Sequence, residues 1–172
     1  MMSRGKTMVF KYLISTCMVA AALSACQETS HITAEPTKET TSLMIIKKPS
    51  PYTAGQTIDR LEKILISKGL KVFTRVDHAA GAKSVDIEMM DSELIIFGNP
   101  KLGTPLMLET PQMGLDLPLK ALAFTDASGQ TYLTYVAPKT LQSRHGISAN
   151  SAIIEKMTGA LDAMTNKAVE AE

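Results

Sequence analysis

Apolar and polar side chains alternate with two distinct periods from Leu43 onward, and each period predicts an element. Leu43-Met44-Ile45-Ile46 is a short apolar run ended by Pro49-Ser50-Pro51, the pattern of a first strand and a turn. Thr53 with Gln56 three residues on has the form of a capping box. Ile58, Leu61, Ile64 and Leu65 then recur at helical spacing, while Asp59, Arg60, Glu62 and Lys63 fall elsewhere, and Gly69 supplies a left-handed stop. The period changes to two in the next segment. Leu70, Val72, Thr74 and Val76 alternate with Lys71, Phe73, Arg75 and Asp77, predicting a strand whose first set is buried.

After the small residues 79–82, Leu94-Ile95-Ile96-Phe97 is a continuous apolar run closed by Gly98-Asn99-Pro100, as in a central strand buried on both faces. Residues from Gly98 to Pro118 read as a loop with a tight turn into a short helix. Leu119 to Thr125 and Thr131 to Val136 are two strands joined by Asp126-Ala127-Ser128-Gly129-Gln130, a hairpin. Pro138 opens a short helix ending at Gly146. A last helix begins near Ser148 or Asn150 and carries Ile153, Met157, Leu161 and Met164 as its apolar stripe. This order lacks the regular strand–helix alternation of a doubly wound fold. It predicts an α+β domain over residues 43–172, an antiparallel sheet with helices on one face.

The segment before this domain has a different character. Arg4, Lys6 and Lys11 precede an apolar core from Tyr12 to Leu23, too short to serve comfortably as a permanent membrane helix. The core closes in Leu23-Ser24-Ala25-Cys26, which resembles the processing site of bacterial lipoproteins. That resemblance implies removal of residues 1–25, diacylglycerol on the Cys26 sulfur and acylation of the new amine. Several chains at about 0.8 kcal/mol per buried CH2 then give stable anchoring. Gln27, where an aspartate would signal retention at the inner membrane, implies an outer-membrane address facing the periplasm. Residues 27–42, QETSHITAEPTKETTS, are too poor in apolar side chains to bury anything and read as a tether that includes His31. At about 3.3 Å per residue, the tether reaches roughly 50 Å when fully extended.

Composition narrows the chemistry. The chain has two cysteines, so with Cys17 removed and Cys26 lipidated no thiol remains for a disulfide or a redox centre. Without Arg4, Lys6 and Lys11, fifteen of the eighteen basic residues face seventeen acidic ones, a net charge of about −2 that argues against a nucleic-acid partner.

Five blocks in order resemble a known family. Phe73-Thr74-Arg75-Val76-Asp77-His78-Ala79-Ala80-Gly81-Ala82, Glu93-Leu94-Ile95-Ile96-Phe97-Gly98-Asn99-Pro100, Gly103-Thr104-Pro105-Leu106-Met107, Asp116-Leu117-Pro118-Leu119 and Arg144-His145-Gly146 are similar to the bacterial domain-of-unknown-function family numbered 302. The resemblance implies a curved antiparallel sheet of the TATA-binding-protein-like class, often self-associating, with no assigned activity.

The residues able to carry chemistry are few. His78 and His145 each lie beside a chain reversal, and Asp77, Asp116 or Glu109 is available to orient an imidazole. A zinc site needs three or four protein ligands, and no paired-histidine or cysteine motif is present. Structural roles compete: His145 in a final helical turn meets the helix dipole, and His78 bonds a loop. Asn99 heads a segment able to present backbone amides, though without the Gly-Lys-Ser/Thr ending of a phosphate loop. No Gly-x-Ser-x-Gly elbow occurs. Leu106, Met107, Leu108, Met113 and Leu115 make the segment after Pro105 rich in adaptable apolar side chains, suited to a pocket or a partner. Tyr132 and Tyr135 fall on opposite faces of their strand. The expected function is a non-enzymatic, lipid-anchored module that self-associates as a homodimer or holds a small apolar ligand between sheet and Met-rich segment. The alternative is a metal- or haem-binding protein using His78 and His145.

Overall fold

The computed structural model describes residues 45–148 and 151–172. The expected signal segment 1–25, Cys26 and the tether to residue 42 lie outside the described residues. The elements run β1 (Ile45–Ser50), α1 (Ala54–Ser67), β2 (Lys71–Asp77), α2 (His78–Lys83), β3 (Ser92–Gly98), α3 (Pro100–Glu109), a 3-10 turn (Pro111–Leu115), β4 (Leu119–Thr125), β5 (Thr131–Val136), α4 (Pro138–His145) and α5 (Ala152–Val169). The strands form an antiparallel sheet in the order β1-β5-β4-β3-β2, with the helices on one side. The α+β class read from the sequence is the observed one.

Local chemistry accounts for most boundaries. Thr53 and Gln56 close the capping box on α1 reciprocally. Gly69 adopts φ +74° after the helix, and Gly146 adopts φ +64° after α4, conformations that cost glycine no Cβ clash. The hairpin spans the residues expected of it, with the Asp126 carboxylate accepting from the backbone N–H groups of Ser128 and Gln130.

Two core clusters hold the fold together. The larger joins α1 and α5 to the sheet through Ile58, Leu61, Leu65, Ile95, Phe97 and Leu161. The smaller gathers Leu106, Met113, Leu141, Ile147, Ile154 and Met157 under α3, the 3-10 turn and α4. Each fully buried large side chain contributes about 1.5–3 kcal/mol by leaving water. Polar ties reinforce the first cluster. Ser50 and Thr57 share a buried 2.7 Å hydrogen bond between β1 and α1. The Lys48 ammonium, on β1, donates to Asp162, Thr165 and Asn166 of α5.

Several elements differ from their sequence pattern. Pro49 lies inside β1 opposite Tyr132 rather than in a turn. β1 is an edge strand, where the missing N–H of proline breaks no ladder bond. In β2 the register shifts between Val72 and Thr74, so Phe73 is the extra residue of a bulge. Val72 opposes Phe97 and Arg75 opposes the buried Ile95, which puts both on the helix side. Thr74 and Val76, expected inside, fall on the other face, and Val76 is 37% exposed. β3 is not buried on both faces: Ile95 and Phe97 are fully buried, while Leu94 and Ile96 are half-buried on the side away from the helices. The small-residue stretch after β2 forms α2, and the short helix expected after β3 is α3. The last helix starts at Ala152 with Ser151 as its cap, and Ile154 rather than Ile153 begins its buried stripe.

Candidate functional site

The two core clusters do not close fully against each other, and the seam between them is a cavity of about 580 Å³. That volume falls within the roughly 300–1,000 Å³ usual for small-molecule sites. The sheet contributes Phe73 and Phe97, α3 contributes Leu102 and Met107, and Leu117 and Leu119 come from the segment leading into β4. Met157, Leu161 and Met164 of α5 form the opposite wall. The β2 bulge is what brings Phe73 here, and its ring lies 3.8 Å from where a Cβ on Gly98 would sit. Pro118 stands 3.4 Å from the same point, an ordinary contact distance. The polar side chains of the lining are Lys68, Lys156, Asn99 and Thr104. Lys68 caps the end of α1 and Lys156 lies on α5. The Asn99 side-chain Oδ1 accepts from the Lys101 N–H as the cap of α3, at 3.0 Å.

A second polar centre lies beside the smaller core. Asp116, at the end of the 3-10 turn, accepts from Arg144 at 2.7 Å and pairs with His145 Nε2 at 2.6 Å, both at the end of α4. The His145 side chain is 7% exposed. Burial disfavours the Asp116 charge, but the bonds from His145 and Arg144 outweigh it and hold the carboxyl below the usual carboxylate range. Asp116 is thus the acid that orients His145, one of the partners the sequence offered. The pair clamps the 3-10 turn to the helix end.

His78 lies elsewhere. It opens α2, which Asp77 caps by accepting from the Ala80 N–H at 2.8 Å. Asp77 opposes Glu93 at the start of β3, whereas Leu119, three residues after Asp116, opposes Phe97 at its end. The register therefore sets the two histidines toward opposite ends of β3. Among the described residues no group of three or more His, Cys, Asp and Glu side chains is placed to hold a metal. Asp77 and Asn99 are helix caps. Of the sequence-selected site residues, Asn99 alone borders the cavity. Met107 of the Met-rich segment lines it, Leu106 and Met113 are buried beneath, and Leu108 and Leu115 are 80% and 81% exposed. Lys68 and Lys156 carried no signal in the sequence, because each reads as one more cation on a solvated helix face.

The model of the family described as "Domain of unknown function DUF302" matches residues 46–164. The chain belongs to that family. The DUF302 domain is also 44% identical over 117 residues to "Fluoride-specific ion channel FluC 1" of Brucella suis biovar 1 (strain 1330), covering 67% of this chain and 46% of that protein. The match to "Fluoride-specific ion channel FluC 2" of Brucella melitensis biotype 1 has the same identity and covers 43% of it. The chain thus spans less than half the length of the curated relatives it matches. No helix among the described residues is long and apolar enough to cross a membrane. The crystal structure of an uncharacterised conserved DUF302 protein from Bacillus stearothermophilus superposes with a TM-score of 0.67 at 18% identity. The match covers 74% of this chain and 99% of the Bacillus one, so the DUF302 fold makes up nearly all of that crystallised chain.

Proposed function

We propose that this protein is a non-enzymatic binding module, held at a membrane by lipid on Cys26, whose DUF302 domain takes a small apolar ligand in the seam cavity. The observation that carries the reading is the lining itself: a half-open cavity of ligand size walled by Phe97, Met107, Leu119, Leu161 and Met164. A cavity so lined gains free energy when an apolar molecule replaces its water. The membrane setting has two supports, the Leu23-Ser24-Ala25-Cys26 segment and the occurrence of the same domain in Brucella proteins named as ion channels.

Ala160 borders the cavity and is exposed, so a large side chain there obstructs the cavity without disturbing the core. The test is binding of the apolar fluorophore N-phenylnaphthylamine to residues 36–172. Ala160→Trp is expected to weaken it by about tenfold or more while leaving the melting temperature unchanged. Absent or undiminished binding overturns the reading.

A second reading has its own observation. The sheet face away from the helices carries Leu94, Ile96, Leu122, Phe124 and Tyr132, half-buried and flanked by the exposed Val76 and Val136. Such a face suits a second copy of the chain. Sedimentation of the domain tests it: a dimer that Leu122→Glu converts to monomer supports this reading, and a wild-type monomer removes it.

A further inference from the structure

We infer that the seam cavity selects a single-chain amphiphile with an anionic head, a free fatty acid, with its head held by Lys68 and Lys156. This rests on the cavity-binding reading above and names its ligand. Size sets the chain. At about 30 Å³ per water-sized group, a cavity of about 580 Å³ accommodates on the order of 15 to 20 such groups, enough for one acyl chain and too few for a two-chain lipid.

Charge sets the head. Lys68 and Lys156 are the charged residues of the lining, both cations, and no carboxylate is among them. Both are exposed, and neither makes an ion pair among the described residues, so each ammonium is available to a ligand. Asn99 adds donor capacity at the same lining. Its side-chain oxygen is spent on the Lys101 N–H, so the amide nitrogen is the part left to bond a ligand, and it can only donate. The available side-chain groups thus favour an acceptor carrying negative charge, while the walls between them are apolar. A wholly apolar molecule would leave both cations unused. A two-headed acid would bury its second carboxylate among Phe97, Leu161 and Met164, where an unpaired charge is costly.

The experiment compares dodecanoate with dodecanol, the same chain without charge, as competitors of N-phenylnaphthylamine on residues 36–172. The wild-type domain and the double variant Lys68→Gln/Lys156→Gln are both measured. The expected result is that dodecanoate binds wild type about tenfold more tightly than dodecanol, that the double variant reduces dodecanoate to the level of dodecanol, and that added salt does the same. Dodecanol affinity stays the same in the double variant and so reports that the cavity is intact. Equal affinity for the two ligands overturns the anionic-head inference and leaves apolar binding standing. Loss of dodecanol, dodecanoate and fluorophore binding alike in wild type removes both. Lauroyl-lysophosphatidic acid, run in parallel, distinguishes the source of the head: binding tighter than dodecanoate replaces the fatty acid with a lysolipid phosphate and overturns the assignment as stated.

Discussion

Arg75 shows how one residue departs from its own pattern. Strict alternation along β2 places it on the polar face with Phe73, yet the bulge at Phe73 turns it to the helix side opposite Ile95. There its guanidinium donates to Glu93 at 2.6 Å, Asp59 at 2.7 Å and Glu62 at 2.8 Å, fastening the edge strand to α1 and β3. The Glu93 bond is the main reason its pKa is raised. Glu93 is 16% exposed, so Arg75→Met leaves a carboxylate with little water and no cation. The expected cost is about 2–3 kcal/mol in urea unfolding, of which Arg75→Met/Glu93→Gln recovers part. A second prediction concerns Asp116, whose folded-state pKa lies below the ordinary 3.8. Its clamp on His145 and Arg144 contributes stability fully present above that value and lost as pH falls through the lower folded one. Asp116→Asn is therefore expected to destabilise the domain by about 1–2 kcal/mol at neutral pH. The gap to wild type narrows below pH 3.8, as chemical denaturation at both pH values will show.

At the scale of elements, α3 forms against two helix-breaking residues. Gly103 and Pro105 both disfavour it, and Pro105 has no N–H to give the Lys101 carbonyl. The helix forms because Asn99 caps it, Pro100 suits its first turn, and Leu106 is buried in the smaller core. Pro105→Ala restores the missing bond and is expected to raise the melting temperature by about 3 °C, measured by circular dichroism. A fall would mean that the proline sets a bend the core requires. The opposite edge of the sheet depends on Lys48, which is 12% exposed and bonded to three residues of α5. Its bond is the main cause of the lowered Asp162 pKa. Lys48→Met is expected to speed amide hydrogen exchange in β1 more than in β4, since β1 has one strand neighbour and depends on this clamp and the Ser50–Thr57 bond for its hold on the helices.

For the whole molecule, the prediction that matters concerns where the domain is held. On the proposed lipid anchor, Cys26→Ser removes the acceptor, and the protein is expected to move from the membrane fraction to the soluble periplasm and to lose labelled palmitate. Unchanged fractionation would count against a lipid anchor. Much of the architecture was legible in the chain. The capping box of α1, Gly69, the hairpin at residues 126–130 and the stop at Gly146 each depend on contacts within a few residues, which is why local pattern sufficed. The α+β class followed from their order. The sequence also singled out Asp116 and His145, but not that they pair with each other rather than with His78. Three things were decided only by tertiary structure. The bulge in β2 reverses which residues face the core, because register is set by pairing with β3 and not by alternation within one strand. The register of β3 also separates His78 from His145. The cavity, with Lys68 and Lys156 on its lining, exists because two cores assembled from distant segments meet imperfectly. No local period encodes a gap between surfaces that only the folded chain brings together.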